Sequence, residues 1–160
     1  MRTLIHGARL VLCMDDARTR IEDGWVLLED DRIERVGSGT VPGAVRLDRR
    51  IDARGKVVLP GLVNTHHHLP QVLTRNVPRV QEAPLFRWLT ELYDVWRGFD
   101  QKAIDLAARV GLGELLLTGC TTTTDHLYLF PRGQERFIDV EIAAARELGI
   151  RFQPTRGSMS

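Results

Sequence analysis

Short apolar runs separated by polar turns fill the first 59 residues of the chain. The runs at residues 24–28 and 32–36 flank the acidic turn 29–31, which is the pattern of two strands joined by a tight connection. Short strands at this spacing favour a small β-sandwich over helices. The other runs of this kind lie at residues 3–5, 10–12, 45–47 and 57–59.

Helical periodicity begins after residue 83. The first predicted helix begins at Pro84 and ends at Gly98. The second follows the N-cap residue Asp100 and ends at Gly119, and a third ends at Gly149. The apolar positions that repeat at helical spacing are Leu85, Leu89, Leu92 and Trp96, then Ile104, Ala107, Ala108, Gly111, Leu112, Leu115 and Leu116, and finally Phe137, Ile138, Ile142, Ala145 and Leu148.

Predicted strands alternate with these helices. A short apolar strand follows Pro60 and Gly61, a threonine-rich strand covers residues 120–125, and a last strand covers residues 150–155. The order from residue 61 is therefore strand, helices, strand, helix, strand, which predicts an α/β fold with a parallel sheet or barrel.

In parallel α/β folds the reactive groups lie beyond the C-terminal ends of the strands. Polar side chains stand at that end of each predicted strand: His66 and His68 after the first, Asp125 and His126 after the second, and Arg156 after the third.

The first of these strands ends in three consecutive histidines. Because side chains alternate along a strand, His66 and His68 face one way and His67 faces the other, where we expect it to pack below the site. Two neutral imidazoles on one face suit zinc and related divalent metals, although two ligands do not by themselves hold a catalytic metal. We predict that His66 and His68 are metal ligands. The alternative is a pair of hydrogen-bonded loop histidines.

Gln71 lies one short turn beyond the histidine pair. Its amide both donates and accepts hydrogen bonds, which suits the amide or purine edge of a ligand placed over the metal. We predict that Gln71 binds substrate. The alternative is that it only ties down its own loop.

The remaining polar and aromatic candidates have ordinary structural explanations as well. Asp125 and His126 can supply an acid–base pair, but an aspartate at a strand end often caps the next turn. Arg156 can contact an anionic or carbonyl-bearing substrate. Three aromatic residues fit the core of a helix better than a stacking platform: Trp88, Tyr93 and Trp96.

The composition is ordinary for a globular protein, with 43% hydrophobic and 27% charged residues and a formal net charge of +1. This charge balance argues against a nucleic-acid partner. Cys13 and Cys120 lie far apart, which favours a reduced, cytoplasmic setting and no metal-type cysteine pair. No apolar run approaches the ~18–20 residues of a membrane span, and the N-terminus lacks a signal-peptide pattern.

Residues 60–68 (PGLVNTHHH) resemble the amidohydrolase superfamily, in which an H-x-H pair ends the first strand of a (β/α)8 barrel. The preceding β segment is similar to the N-terminal half of the small β-sandwich of that superfamily. Four further stretches resemble the branch that contains 8-oxoguanine deaminase and hydroxydechloroatrazine ethylaminohydrolase: 71–75 (QVLTR), 115–122 (LLLTGCTT), 125–131 (DHLYLFP) and 155–159 (TRGSM).

This resemblance implies metal-dependent hydrolytic deamination of a small aromatic nitrogen heterocycle, either 8-oxoguanine or a related purine or hydroxytriazine, with release of ammonia or an alkylamine. It implies one divalent metal ion, zinc or alternatively iron, which makes a bound water acidic near neutral pH. His66 and His68 would be the first two ligands, and Gln71 would contact the substrate. The other ligands and the proton-transferring residues of the superfamily lie on later strands. Homo-oligomers are common in the family.

A complete (β/α)8 barrel takes roughly 250 residues. We therefore expect residues 1–59 to be a β-sandwich portion and residues 60–160 to be the first three β/α units of the barrel, together forming the N-terminal part of a longer enzyme. Alone, the chain is expected to bind metal weakly and to lack catalytic residues and turnover.

Two other functions stay open. A cyclic-amide hydrolase such as a hydantoinase shares the H-x-H pair but holds two metal ions. A non-catalytic scaffold holds none tightly. Metal stoichiometry separates these alternatives from a deaminase, which holds one.

Overall fold

The computed structural model describes residues 1–41 and 46–157. The chain divides into two compact units, Met1–Pro60 and Gly61–Ser160. The described part of the first unit contains only β-strands, whereas the second alternates strands and helices.

The first unit is a five-stranded sheet built around its first strand. β1 pairs antiparallel with β2 and parallel with both β4 and β5, and β2 pairs antiparallel with β3. The strands are β1 Arg2–Leu12, β2 Arg20–Glu29, β3 Arg32–Ser38, β4 Arg49–Asp52 and β5 Val57–Val58.

Consecutive residues of β2 bury their side chains in two different clusters. Trp25 and Leu27 pack with Leu4, whereas Val26 packs with Val11. Because strand side chains alternate between the two faces of a sheet, apolar packing stabilises both faces at the centre of this unit.

The strands of the first unit differ from the prediction at two places. The runs at 3–5 and 10–12 belong to the single strand β1, which passes through Gly7 at φ 71° with a register shift before Ala8. Val45 lies outside the described residues, and the strand of this region is the polar segment Arg49–Asp52. The described residues of this first unit form one sheet, so a sandwich remains a prediction.

The second unit has a parallel sheet of three strands in the order β6-β7-β8. The strands are β6 Leu62–Asn64, β7 Cys120–Leu127 and β8 Arg151–Arg156. The helices are α1 Leu85–Trp96, α2 Gln101–Leu117 and α3 Phe137–Leu148, with short 3-10 helices at Leu69–Thr74 and Pro78–Val80. The predicted α/β class and parallel sheet are confirmed.

Local sequence signals account for the ends of the helices. The carboxylate of Asp100 accepts a hydrogen bond from the Ala103 N–H at 2.8 Å, as expected of an N-cap. Gly149 ends α3 in the left-handed conformation at φ 76°. Five of the seven apolar positions predicted for α2 are buried, namely Ile104, Ala107, Ala108, Gly111 and Leu112, and Leu115 and Leu116 are partly buried. None of the helices in the described part of the chain is long and apolar enough to cross a membrane.

Gly61 allows β6 to approach β7 closely. A Cβ atom at this position would lie 2.1 Å from the Oγ1 atom and 2.7 Å from the Cβ atom of Thr121. The neighbouring Leu62 N–H donates to the Gly119 carbonyl at 2.9 Å. Any side chain at residue 61 would therefore push the start of β6 away from its partner strand.

Candidate active site

The three histidines lie just beyond β6, which ends at Asn64. They were predicted to end the strand itself, but the structure places them in an irregular segment. The rings of His66 and His68 nevertheless come together, with centroids 4.9 Å apart and perpendicular planes. The Nδ1 atom of His67 is buried on the other side, 3.9 Å from the Asp125 Oδ1 atom.

A backbone carbonyl fixes the protonation of the His68 ring. The Nδ1 atom of His68 lies 2.9 Å from the His126 carbonyl oxygen, which can only accept a hydrogen bond. Nδ1 therefore carries the proton, and the lone pair of Nε2 is free. Partial burial lowers the pKa of His68, with the carbonyl acting in the opposite direction. The ring is thus neutral near pH 7, the form that binds metal ions.

These two rings fit a metal ion as two of its ligands. A hydrogen bond from the non-ligating nitrogen to a carbonyl is the usual second contact of a metal-binding histidine. Within residues 1–41 and 46–157, no group of three or more histidine, cysteine, aspartate or glutamate side chains is placed to hold a metal. Two imidazoles leave a zinc ion short of the three or four ligands that it takes from proteins.

Asp125 and His126 do not form the acid–base pair considered from the sequence. Both belong to β7, which continues to Leu127, so their side chains point to opposite faces of the sheet. The Asp125 side chain is fully buried, whereas that of His126 is exposed, with its ring centroid 5.6 Å from that of His68.

Asp125 instead anchors the segment that follows the histidines. Its Oδ1 atom accepts a hydrogen bond from the Leu69 N–H at 2.6 Å, so it does not cap the turn after its own strand. Burial raises the pKa of this carboxyl, although the Leu69 N–H opposes the shift. The backbone of β7 adds a second link, because the His126 N–H donates to the His67 carbonyl at 2.9 Å.

Gln71 has a partner that the sequence did not reveal. Its Nε2 atom donates to the Tyr128 hydroxyl at 2.6 Å, and the Tyr128 ring packs edge-on against His68 with centroids 5.3 Å apart. Burial raises the pKa of Tyr128, so its hydroxyl stays protonated at neutral pH. Gln71 and Tyr128 are separated by 57 residues, and no local pattern links them.

A hollow of about 390 Å³ lies beside the histidine pair. Its polar and aromatic walls come from His68, Gln71, Trp88, His126 and Tyr128. Trp88 was predicted to be core, and it does pack edge-on against the buried Trp96 with centroids 5.5 Å apart. Trp88 also lines the hollow, so it belongs both to the helix core and to the candidate site.

Arg156 contacts an aromatic ring. Its guanidinium carbon lies 4.2 Å from the centroid of the Phe130 ring, which is a cation–π contact. This stacking restrains the last residue of β8.

Residues 57–160 match the sequence profile of the Amidohydrolase family. The chain belongs to the amidohydrolase family. This identification confirms the resemblance noted at the histidine motif.

Named relatives of this amidohydrolase act on heterocycles. It is 51% identical to the 8-oxoguanine deaminase of Pseudomonas aeruginosa over 138 residues, which are 86% of this chain and 30% of that protein. It is 35% identical to the hydroxydechloroatrazine ethylaminohydrolase of Pseudomonas sp. strain ADP, over 99% of this chain and 35% of that protein.

Solved structures share the fold of this amidohydrolase. A triazine hydrolase from Arthrobacter aurescens superimposes with a TM-score of 0.92 at 35% identity, covering 99% of this chain and 36% of that one. The zinc complex of an atrazine chlorohydrolase from Arthrobacter aurescens TC1 has a TM-score of 0.89 at 35% identity, covering 96% of this chain and 35% of that one. The chain spans about a third of the length of these relatives.

Proposed function

We propose that this amidohydrolase chain takes part in the hydrolytic deamination of an aromatic nitrogen heterocycle, with 8-oxoguanine as the first substrate to test. The observation that carries the proposal is the pairing of the His66 and His68 rings, with the Nε2 atom of His68 left free by the His126 carbonyl. The choice of 8-oxoguanine follows from the higher identity to a deaminase of that base than to the hydroxydechloroatrazine enzyme.

In this proposal His66 and His68 hold one divalent metal ion, zinc rather than iron. The histidine donor set suits zinc, and a structural relative is complexed with zinc. When bound, the metal lowers the pKa of water so that hydroxide forms near neutral pH. The His126 carbonyl and the Asp125 carboxyl contribute by keeping His68 and the segment after it in place.

Gln71 and Tyr128 are proposed to bind the heterocycle. The Gln71 amide nitrogen donates to the Tyr128 hydroxyl. Within the described part of the chain the Gln71 amide oxygen accepts no hydrogen bond and the Tyr128 O–H donates none, so both can contact a ligand. One acceptor and one donor side by side match the edge of an oxidised purine, while Trp88 offers an aromatic face.

The domain boundaries and the setting are proposals as well. Residues 1–59 would be part of a β-sandwich, and residues 60–160 would be the first three β/α units of a barrel. The sheet of Met1–Pro60 and the parallel sheet of Gly61–Ser160 support this assignment. A cytoplasmic location and a homo-oligomer of the whole enzyme are proposed from cysteine usage and from the family.

Metal content and ammonia release test the proposal. The product of the complete coding region that contains this chain is expected to hold one metal ion and to release ammonia from 8-oxoguanine. Chelation should abolish the release and zinc should restore it. Two metal ions with ring opening of hydantoin would instead identify a cyclic-amide hydrolase. A product without bound metal or turnover would be the non-catalytic scaffold.

A further inference from the structure

A carboxyl group occupies a core position of α3. Glu141 lies four residues after Phe137 and four before Ala145, and all three side chains are buried in the apolar stripe of the helix. Neither carboxyl oxygen of Glu141 has a conventional hydrogen-bond partner in the described part of the chain. An ionised carboxylate in this position would be strongly destabilising. The groups around Glu141 must therefore account for its burial.

The neighbour of Glu141 is Asp125. The carboxyl groups of Asp125 and Glu141 lie close enough to share a proton, and both side chains are fully buried. The Asp125 Oδ2 atom, like both Glu141 oxygens, has no other donor in the described part of the chain. A carboxylate can only accept hydrogen bonds, so a contact between two carboxyl groups requires that one of them carries a proton. Two charges this close and this deeply buried would repel each other, as in other carboxyl pairs that share one proton.

The surrounding groups decide which carboxyl keeps the proton. Asp125 accepts the Leu69 N–H at 2.6 Å, and this contact favours the charged form. Glu141 receives no such donor within residues 46–157. Burial raises the pKa of both groups, and the charge of Asp125 raises that of Glu141 further. Glu141 is therefore the neutral partner.

We propose that Glu141 is a positioning residue, which donates a hydrogen bond from its neutral carboxyl to Asp125 and so holds the segment that carries His66 and His68. The contacts run from Glu141 to the Asp125 carboxylate and from there to the Leu69 N–H, which directly follows His68. This inference rests on the proposed function only where it treats the two histidines as metal ligands.

Two substitutions separate the roles of this carboxyl. Glu141→Gln keeps a donor toward Asp125 but has no acidic proton, whereas Glu141→Leu keeps the volume and removes the donor. Glu147→Leu is the matched control, because Glu147 lies on the same helix but is exposed and pairs with Arg109. Each chain is examined by infrared spectroscopy for the carbonyl band of a protonated carboxylic acid, by amide hydrogen exchange and by zinc titration.

We expect the acid band in the unsubstituted chain and in Glu147→Leu, and its loss in Glu141→Gln. Glu141→Gln should keep the exchange rate of the Leu69 amide and bind zinc within about twofold of the original affinity. Glu141→Leu should speed exchange at Leu69 and weaken zinc binding, each by about 10-fold, as expected for a group that supports a metal ligand indirectly. The Leu62 amide, which bonds to Gly119, should stay protected and so exclude global unfolding.

An acid band that persists in Glu141→Gln would overturn the proposal, and so would unchanged exchange at Leu69 in Glu141→Leu. The infrared and exchange measurements do not need metal. If they give the expected results while the unsubstituted chain binds no zinc, Glu141 still positions the segment, and the metal assignment of His66 and His68 fails instead.

Discussion

The two sides of the histidine segment differ sharply in their surroundings. On one side the His68 and His126 rings line an open hollow, and the His66 ring packs edge-on against His68. On the other side the His67 Nδ1 atom and the Asp125 carboxyl are buried. The two sides therefore have different roles. The open side presents side chains to a ligand, and the contacts on the buried side fix the position of those side chains.

A substitution on the open side should weaken metal binding without destabilising the fold. His68→Ala is expected to lower zinc affinity at least about 100-fold, because it removes one of the two proposed ligands. The free energy of unfolding should change by less than about 1 kcal/mol, since the ring is only half buried. Zinc competition with a coloured chelator measures the affinity, and His6→Ala in the other unit is the control. Equal affinities in the two variants would contradict the comparison.

The contribution of the buried side to the stability of the folded chain should depend on pH. Burial and the charge of Asp125 raise the pKa of Glu141 from 4.5 to about 9, so the folded chain holds a proton that the unfolded chain releases above pH 4.5. The stabilisation that this proton gives the folded chain is complete below pH 4.5. It is lost as pH rises toward 9, by up to about 1.4 kcal/mol per pH unit.

Urea unfolding across this range measures the effect. The unsubstituted chain should lose about 2.7 kcal/mol between pH 6 and pH 8, and Glu141→Gln should show a flatter profile. Identical profiles would show that Glu141 is not the group that holds the proton.

Two glycines of α2 test how tightly the buried side is packed. A Cβ atom on Gly111 would lie 2.7 Å from the Leu69 Cδ2 atom and 3.2 Å from the Val72 Cγ2 atom, whereas one on Gly113 meets nothing within 4 Å. Gly111→Ala should therefore destabilise the chain by about 1–2 kcal/mol. Gly113→Ala should stabilise it by about 0.5–1 kcal/mol through helix propensity. Chemical denaturation measures both, and equal effects would mean that Leu69 can move aside.

Substitution of Tyr128 should have the smallest effect, and it should alter only substrate binding on the open side. Tyr128→Phe removes the hydroxyl that accepts from Gln71, which should raise KM for 8-oxoguanine about 3–10-fold in the product of the complete coding region. A double-mutant cycle with Gln71→Ala tests whether the two side chains act together. Strictly additive effects would show that Tyr128 does not act through Gln71.

Local patterns predicted most of the second unit. Helix periodicity, the Asp100 cap and the Gly149 terminus are properties of neighbouring residues, and the structure confirms them. The polar strand Arg49–Asp52 was missed because it lacks an apolar run, and its parallel pairing with β1 is a long-range contact. The residues around a strand do not indicate which distant strand it pairs with.

The site was predicted in part for the same reason. The His66 and His68 rings lie together as expected, but Asp125 was predicted to end a strand that in fact continues to Leu127, and its side chain is fully buried. Glu141 was missed because the predicted stripe followed Ile138 and Ile142. Its signal was present as an acid at helical spacing from Phe137 and Ala145. Tyr128 left no such signal.

The hydrogen bonds that restrain His68 and Leu69 join residues far apart in sequence. The His68 bond spans 58 residues and the Leu69 bond spans 56, and closing loops of this length costs on the order of 3–4 kcal/mol of chain entropy. Helices α1 and α2 lie inside these loops and can form from local contacts first. We therefore expect the histidine pair to take shape late in folding, once β7 has joined β6.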